Sequence, residues 1–152
     1  MNNIVKFAAA AACALAMQGQ AWAAEHATPA EATAMVKKAI EFIKANGKEK
    51  AYAAINDPKG QFRDRDLYVF VYDMYGVTQA HGANPKMLGK NLMELKDADG
   101  VYIIKAFLDV GKTKGKGWVD YKWPNPVSKD IESKSTYIEK YDDVLVGAGV
   151  YK

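Results

Sequence analysis

The 152-residue chain contains one cysteine, Cys13, and two histidines, His26 and His81. Cys13 lies in an apolar stretch near the N-terminus, so a chain cut after Ala23 would hold no cysteine. Disulfide staples and thiol chemistry are then excluded from residues 24–152, and the domain must rely on its core. A lone His81 with no cysteine and no second histidine in a patterned segment does not make a zinc set. No serine stands in a nucleophile-elbow context, so the common triad chemistry has no footing and no enzyme activity is expected. A single sign of charge is also missing. With 21 basic and 18 acidic residues, and the lysines spread rather than blocked, nothing points to nucleic acid.

Long apolar runs are scarce. The one candidate, residues 7–17, is mostly alanine and too short for a permanent bilayer span, which needs roughly 20 residues. It follows a start carrying Lys6 and precedes "QGQ" and the A-x-A pattern at 21–23. That order is a secretory signal peptide, so residues 1–23 are expected to be removed and the protein to be periplasmic. A lipoprotein reading of Cys13 is weaker, because the usual large aliphatic residue three positions before it is absent and Cys13 lies too early in the run. Residues 24–152 are enough for one ordinary domain.

What is present is patterned. "TPAEATAMVKKAIEFIKANG" at 28–47 places Ala32, Met35, Val36, Ala39, Ile40 and Ile43 on one helical face. Thr28 and Glu31 form a capping box, Pro29 suits the first turn and Gly47 can end the helix. "KEKAYAAIND" is expected to form a second, short helix. "DLYVFVYD" at 66–73 is a strand with Tyr68, Phe70 and Tyr72 on one face and Val69 and Val71 on the other, so both faces should be covered. "VTQAH" pairs with it, a loop with a helical turn or two follows, and a helix is expected over 100–110. Three strands then follow in "GWVDYKW", "SKSTYIEKY" and "DVLVGAGVYK", with Asp142 and Asp143 as a turn. Consecutive strands favour an antiparallel sheet, and the class is α+β.

Two motifs mislead. Residues 106–113, "AFLDVGKT", fit a relaxed phosphate-loop pattern. A phosphate loop lies between a strand and a helix, whereas here a helical stripe of Tyr102, Ile103, Ala106, Phe107 and Val110 precedes Gly111 and a strand follows. Gly111 is read as the helix stop. "DADG" at 97–100 suggests a calcium loop, but with Gly100 in the sixth position the first and twelfth fall on Leu95 and Ala106. A turn with a helix cap is the plain reading.

The aromatic strands remain. Trp118, Tyr121 and Trp123 share one strand with Lys122, and Tyr137 lies on another. Such residues are ordinary core. They also carry polar tips, so they can wall a small pocket in which one rim cation selects an anion.

The order and spacing of "YVFVYD", "AHGANPKMLGKNL", "GWVDYKWP" and "VGAGVY" resemble the single Cache domain, in its type 2 form, over residues 28–151. The resemblance implies a PAS-like fold, with a long N-terminal helix packed on a five-stranded antiparallel sheet. It implies an extracytoplasmic sensor for small molecules, often short carboxylates, and hence a chemotaxis-related role in signal perception. Such domains usually sit between two membrane helices; here a free-standing form is expected, reporting to a separate membrane receptor or kinase. The alternative is a structural or protein-interaction domain whose pocket is filled by its own side chains. The implied walls are Tyr68, Phe70, Tyr72, His81, Trp118, Tyr121, Trp123 and Tyr137. Lys122 is the anion partner by motif, with Arg63 and Arg65 as rival cations. Alternation points Trp118 and Lys122 away from Tyr121 and Trp123. No cofactor or metal is implied.

Overall fold

A computed structural model describes residues 26–152. The expected leader, residues 1–23, with Cys13 and the cleavage position, lies outside the described residues. Helix α1 (Pro29–Asn46) starts as its sequence demands. The Glu31 carboxylate accepts from the Thr28 backbone N–H at 2.6 Å, while the Thr28 hydroxyl accepts from the Glu31 N–H at 3.3 Å. Gly47, at φ 80°, ends the helix and lets α2 (Lys48–Asn56) leave in a new direction.

The sheet is antiparallel throughout and has six strands. They are β1 (Arg63–Asp64), β2 (Leu67–Asp73), β3 (Thr78–His81), β4 (Lys116–Pro124), β5 (Ile131–Tyr141) and β6 (Val144–Tyr151). The order is β1-β2-β6-β5-β4, and β3 pairs with β2. The five expected strands are present, and the two-residue β1 is the addition. Asp142, at φ 53°, makes the tight β5–β6 turn.

The sheet separates two cores. On one side Val69, Val71, Val146, Ala148 and Val150 pack with Val36, Ala39, Ile40 and Ile43 of α1. On the other, Tyr68, Phe70, Tyr72, Leu145, Ile138, Val119 and Tyr121 pack with Ile103, Ile104, Phe107 and Leu108 of α3 (Ile103–Thr113). Each fully buried large apolar side chain stabilises the fold by roughly 1.5–3 kcal/mol. The two-residue alternation of β2 thus serves both cores, as its double apolar pattern requires.

Helix α3 corrects two expectations. It begins at Ile103 rather than Gly100 and runs through Gly111 to Thr113; the left-handed glycine that follows is Gly115, at φ 76°. Gly111 is a residue of the helix, and a Cβ there would collide with the Leu145 side chain, so the glycine sets how closely α3 approaches β6. The phosphate-loop pattern therefore lies inside a helix. "DADG" is a turn, and the residue capping α3 is Tyr102. Asp97 accepts N–H bonds from Asp99, Val101 and Lys122 at 2.8–2.9 Å, which ties the loop to the free edge of β4. Among the described residues no helix is long and apolar enough to cross a membrane.

Candidate functional site

The face of the sheet under α3 encloses a cavity of about 10 Å³, room for about one water. Alternation along β2 delivers Tyr68, Phe70 and Tyr72 to it, and β4 delivers Tyr121 and Trp123. Its roof is Leu95 from the loop that Asp97 anchors, with Ile103, Ile104 and Phe107 from α3. Phe70 and Phe107 stack at 5.5 Å with planes 11° apart, and Tyr121 meets Phe107 edge-on at 5.5 Å. Two glycines of β6 make room below. A Cβ at Gly147 would meet the Phe70 ring, and one at Gly149 would meet Thr136 and Lys134.

One end of the cavity is polar. His81 closes β3, opposite Phe70 in register, and its ring lies 5.1 Å from that of Tyr68. Its Nδ1 faces the backbone N–H groups of Ala83 (3.3 Å) and Asn84 (3.0 Å). Accepting from both requires the proton to sit on Nε2, so the ring offers a donor there. Burial, reinforced by the Lys134 charge, pushes its pKa down to about 3, and His81 is neutral at physiological pH.

Lys134 lies on β5 directly opposite Tyr121 and is 1% exposed. Its Nζ donates to the Tyr68 hydroxyl at 2.8 Å and to the Tyr151 hydroxyl at 3.2 Å, and it stands over both rings at 4.1 and 4.6 Å. The Tyr151 hydroxyl donates to the Pro124 carbonyl at 2.9 Å, and Trp123 lines the slot with Tyr68. Burial lowers the Lys134 pKa to about 7, with Asp66 acting weakly against it. Burial also raises Tyr68, Tyr121 and Tyr151, so these phenols stay protonated. Among the described residues no carboxylate lies within ion-pair distance of Lys134. An ammonium has three donors and the two phenols take two of them. The arrangement is an aromatic slot with the neutral His81 imidazole and the Tyr68 hydroxyl at one end; Lys134 adjoins it through that hydroxyl and itself lines the opening beside Tyr121.

Six of the nine expected site residues line this slot: Tyr68, Phe70, Tyr72, His81, Tyr121 and Trp123. Three do not. Trp118 is 41% exposed and lies on the α1 side, 5.5 Å from Tyr137. Tyr137 belongs to the α1 core and donates to Glu139 at 2.7 Å. Lys122 lies outside the slot, 3.3 Å from Asp99, because alternation along β4 sends it opposite to Tyr121 and Trp123. Of the rival cations, Arg65 pairs with Glu31 at 2.6 Å and Asp64 at 2.9 Å, while Arg63 borders a neighbouring cavity that shares Tyr68, His81 and Trp123. Sequence reasoning missed Lys134, Tyr151 and the α3 wall. The signal for Lys134 was its position two residues before Thr136 and four before Ile138, on the face opposite Tyr137.

A family model described as Single Cache domain 2 matches residues 7–152. The methyl-accepting chemotaxis protein McpP of Pseudomonas putida is 29% identical over 90 residues, 58% of this chain and 16% of that protein. The chain therefore spans a small part of the length of that relative. A crystal structure of a methyl-accepting chemotaxis protein from Vibrio parahaemolyticus superposes with a TM-score of 0.70 at 27% identity, covering 80% of this chain and 86% of the other. A structure described as the basis for carboxylic acid recognition by a Cache chemosensory domain superposes with a TM-score of 0.68 at 26% identity, covering 80% and 91%.

Proposed function

Since this chain belongs to the single Cache domain 2 family, we propose that it is an extracytoplasmic sensor unit that binds a short organic acid in the slot between β2, α3 and β4. The observation that carries this reading is Lys134: a buried cation with no carboxylate partner among the described residues, held by two phenols and with one donor to spare. A ligand carboxylate supplies the missing acceptor, in a charge-assisted hydrogen bond strengthened by the dry surroundings. His81 Nε2–H supplies a second donor without adding charge. The slot lining, with Phe70, Phe107, Ile103 and Ile104, brings no second cation for a second acid group. That favours monocarboxylates of two to four carbons with an unsubstituted tail, and binding without turnover. The carboxylic acid recognised by the related chemosensory domain supports the same class.

The reading includes export by residues 1–23 and a membrane receptor or kinase as the separate partner that reports occupancy. A second reading has an observation of its own: a slot of about 10 Å³ is nearly filled by its side chains, as a purely structural or interaction domain requires. A thermal melting screen of the protein against C2 to C4 carboxylates separates the two. A ligand at 100 times its dissociation constant adds about 2.7 kcal/mol of stability. No shift with any of these acids favours the self-filled domain.

A further inference from the structure

A second cavity, of about 220 Å³, adjoins the polar end of the slot, and Tyr68, His81 and Trp123 line both. Its outer wall is Arg63 before β2 and Pro124, Asn125, Pro126 and Lys129 from the β4–β5 loop. It contains two cations and no carboxylate. Both cations face only neutral partners. The Arg63 guanidinium donates a long bond to the Gly82 carbonyl at 3.4 Å, and Lys129 Nζ donates to the Pro126 carbonyl at 2.6 Å. Among the described residues neither has an ion pair, whereas Lys44, Lys48, Arg65, Lys105, Lys122 and Lys152 each do. Glu132, which touches the wall residue Asn125, is turned to the Asn125 amide and the Ser128 hydroxyl.

The other opening against the slot, beside Tyr121, has a different charge pattern. It presents Asp97, Asp99 and Asp120 with the buried Lys134 behind them, and its surface lysines are already paired, Lys122 with Asp99 and Lys152 with Asp120. An approaching anion meets three carboxylates there and none in the lining at the Arg63 side.

We infer that the cavity between Arg63 and Lys129 is the vestibule through which an acid reaches the slot, a transient anion site where the carboxylate is held before the tail passes between His81 and Trp123. This rests on the slot being the ligand site. Such a ligand enters tail first, because the hydrocarbon end lies deeper and the donors stand at the mouth. The carboxylate therefore stays on Tyr68, His81 and Lys134 without crossing the apolar part. The loop is stitched by Asn125, which accepts from the Val127 N–H at 2.8 Å and donates its own N–H to Asp130 at 2.8 Å, so Lys129 keeps a fixed place on the rim.

The test uses Trp123 as reporter. In a Trp22→Phe, Trp118→Phe chain it is the remaining indole. Stopped-flow mixing with sodium propionate is compared with and without Arg63→Gln and Lys129→Gln. At low salt the double variant is expected to associate about 5- to 10-fold more slowly, with dissociation unchanged and the difference lost in about 0.5 M salt. Equal association rates overturn the vestibule. Absence of any propionate response in the parent chain counts against the slot as a monocarboxylate site. In that case iodide quenching of Trp123, measured against neutral acrylamide, decides the vestibule. A drop of about two-fold in the iodide-to-acrylamide ratio on removing the two cations supports it; an unchanged ratio overturns it.

Discussion

The Lys134 ammonium donates to the Tyr68 hydroxyl at 2.8 Å, across 66 residues of sequence. The aromatic pattern of β2 does not by itself indicate that a lysine of β5 stands against it. Their adjacency comes from β6, which pairs with β2 on one side and β5 on the other, and whose Gly149 leaves the volume that Lys134 and Thr136 occupy.

Lys134→Met keeps most of the stem's packing and removes the donor. Affinity for the best carboxylate in the melting screen should fall by roughly 1.5–3 kcal/mol, measured by titration calorimetry. Lys122→Met should leave that affinity within about 0.5 kcal/mol of the parent, since Lys122 pairs with Asp99 outside the slot. The reverse result would return the anion site to Lys122.

Stability should depend on pH through Lys134. Its folded pKa is about 7, while a lysine in the unfolded chain titrates near 10.4. Between those values the unfolded chain binds a proton that the folded chain does not, so stability rises with pH across this window. Below about 7 both states are protonated and the cost of burying the charge is fully present. The slope from one such group reaches about 1.4 kcal/mol per pH unit. Urea titrations at several pH values should show this slope as the difference between the parent and Lys134→Met.

The same shift links binding to protons. A bound carboxylate favours charged Lys134, so above pH 7 binding takes up a proton and affinity weakens as pH rises. Calorimetry in buffers of different ionisation enthalpy should detect the uptake. His81, held near 3, contributes no titration between pH 5 and 8.

His81→Phe should cost about 1–3 kcal/mol of stability, because the N–H groups of Ala83 and Asn84 lose their acceptor. It should also weaken carboxylate binding by removing the Nε2 donor. His81→Asn, which restores an acceptor, should recover part of the stability, as read from denaturant midpoints.

Gly147→Ala places a methyl against the Phe70 ring and Ile138 in a packed floor. A loss of roughly 1–3 kcal/mol is expected, together with loss of the carboxylate-induced melting shift, since the displaced Phe70 ring fills the slot.

Much of the fold was legible because local chemistry and tertiary packing agree. The Thr28–Glu31 capping box, the apolar stripe of α1 and the two-faced pattern of β2 each state a structural requirement by themselves. The aromatic wall was legible for the same reason: Tyr68, Phe70 and Tyr72 alternate on one strand, and Tyr121 and Trp123 on another. The cation was not. Lys122 is flanked by two slot residues, but neighbours in a strand face opposite ways, and this one meets Asp99 on the outside. Lys134 reads as an ordinary surface lysine until the β5–β6 register places Tyr151 opposite it and Tyr68 closes above. Gly111 reads as a helix stop because its role, contact with Leu145, lies 34 positions away in sequence. Long-range register and interelement distance are what one-dimensional patterns omit.

The strand β2 is a diaphragm one side chain thick on either face. Phe70 forms part of the slot, while its chain neighbours Val69 and Val71 press on the core beneath α1. An occupant larger than one water must displace a wall of a slot that holds little more than that volume. Movement of Phe70 or Tyr68 is then movement of the backbone that seats Val69, and the long helix on the far side bears directly on it. A wall displaced on one face of β2 would therefore reach the α1 side through the strand itself.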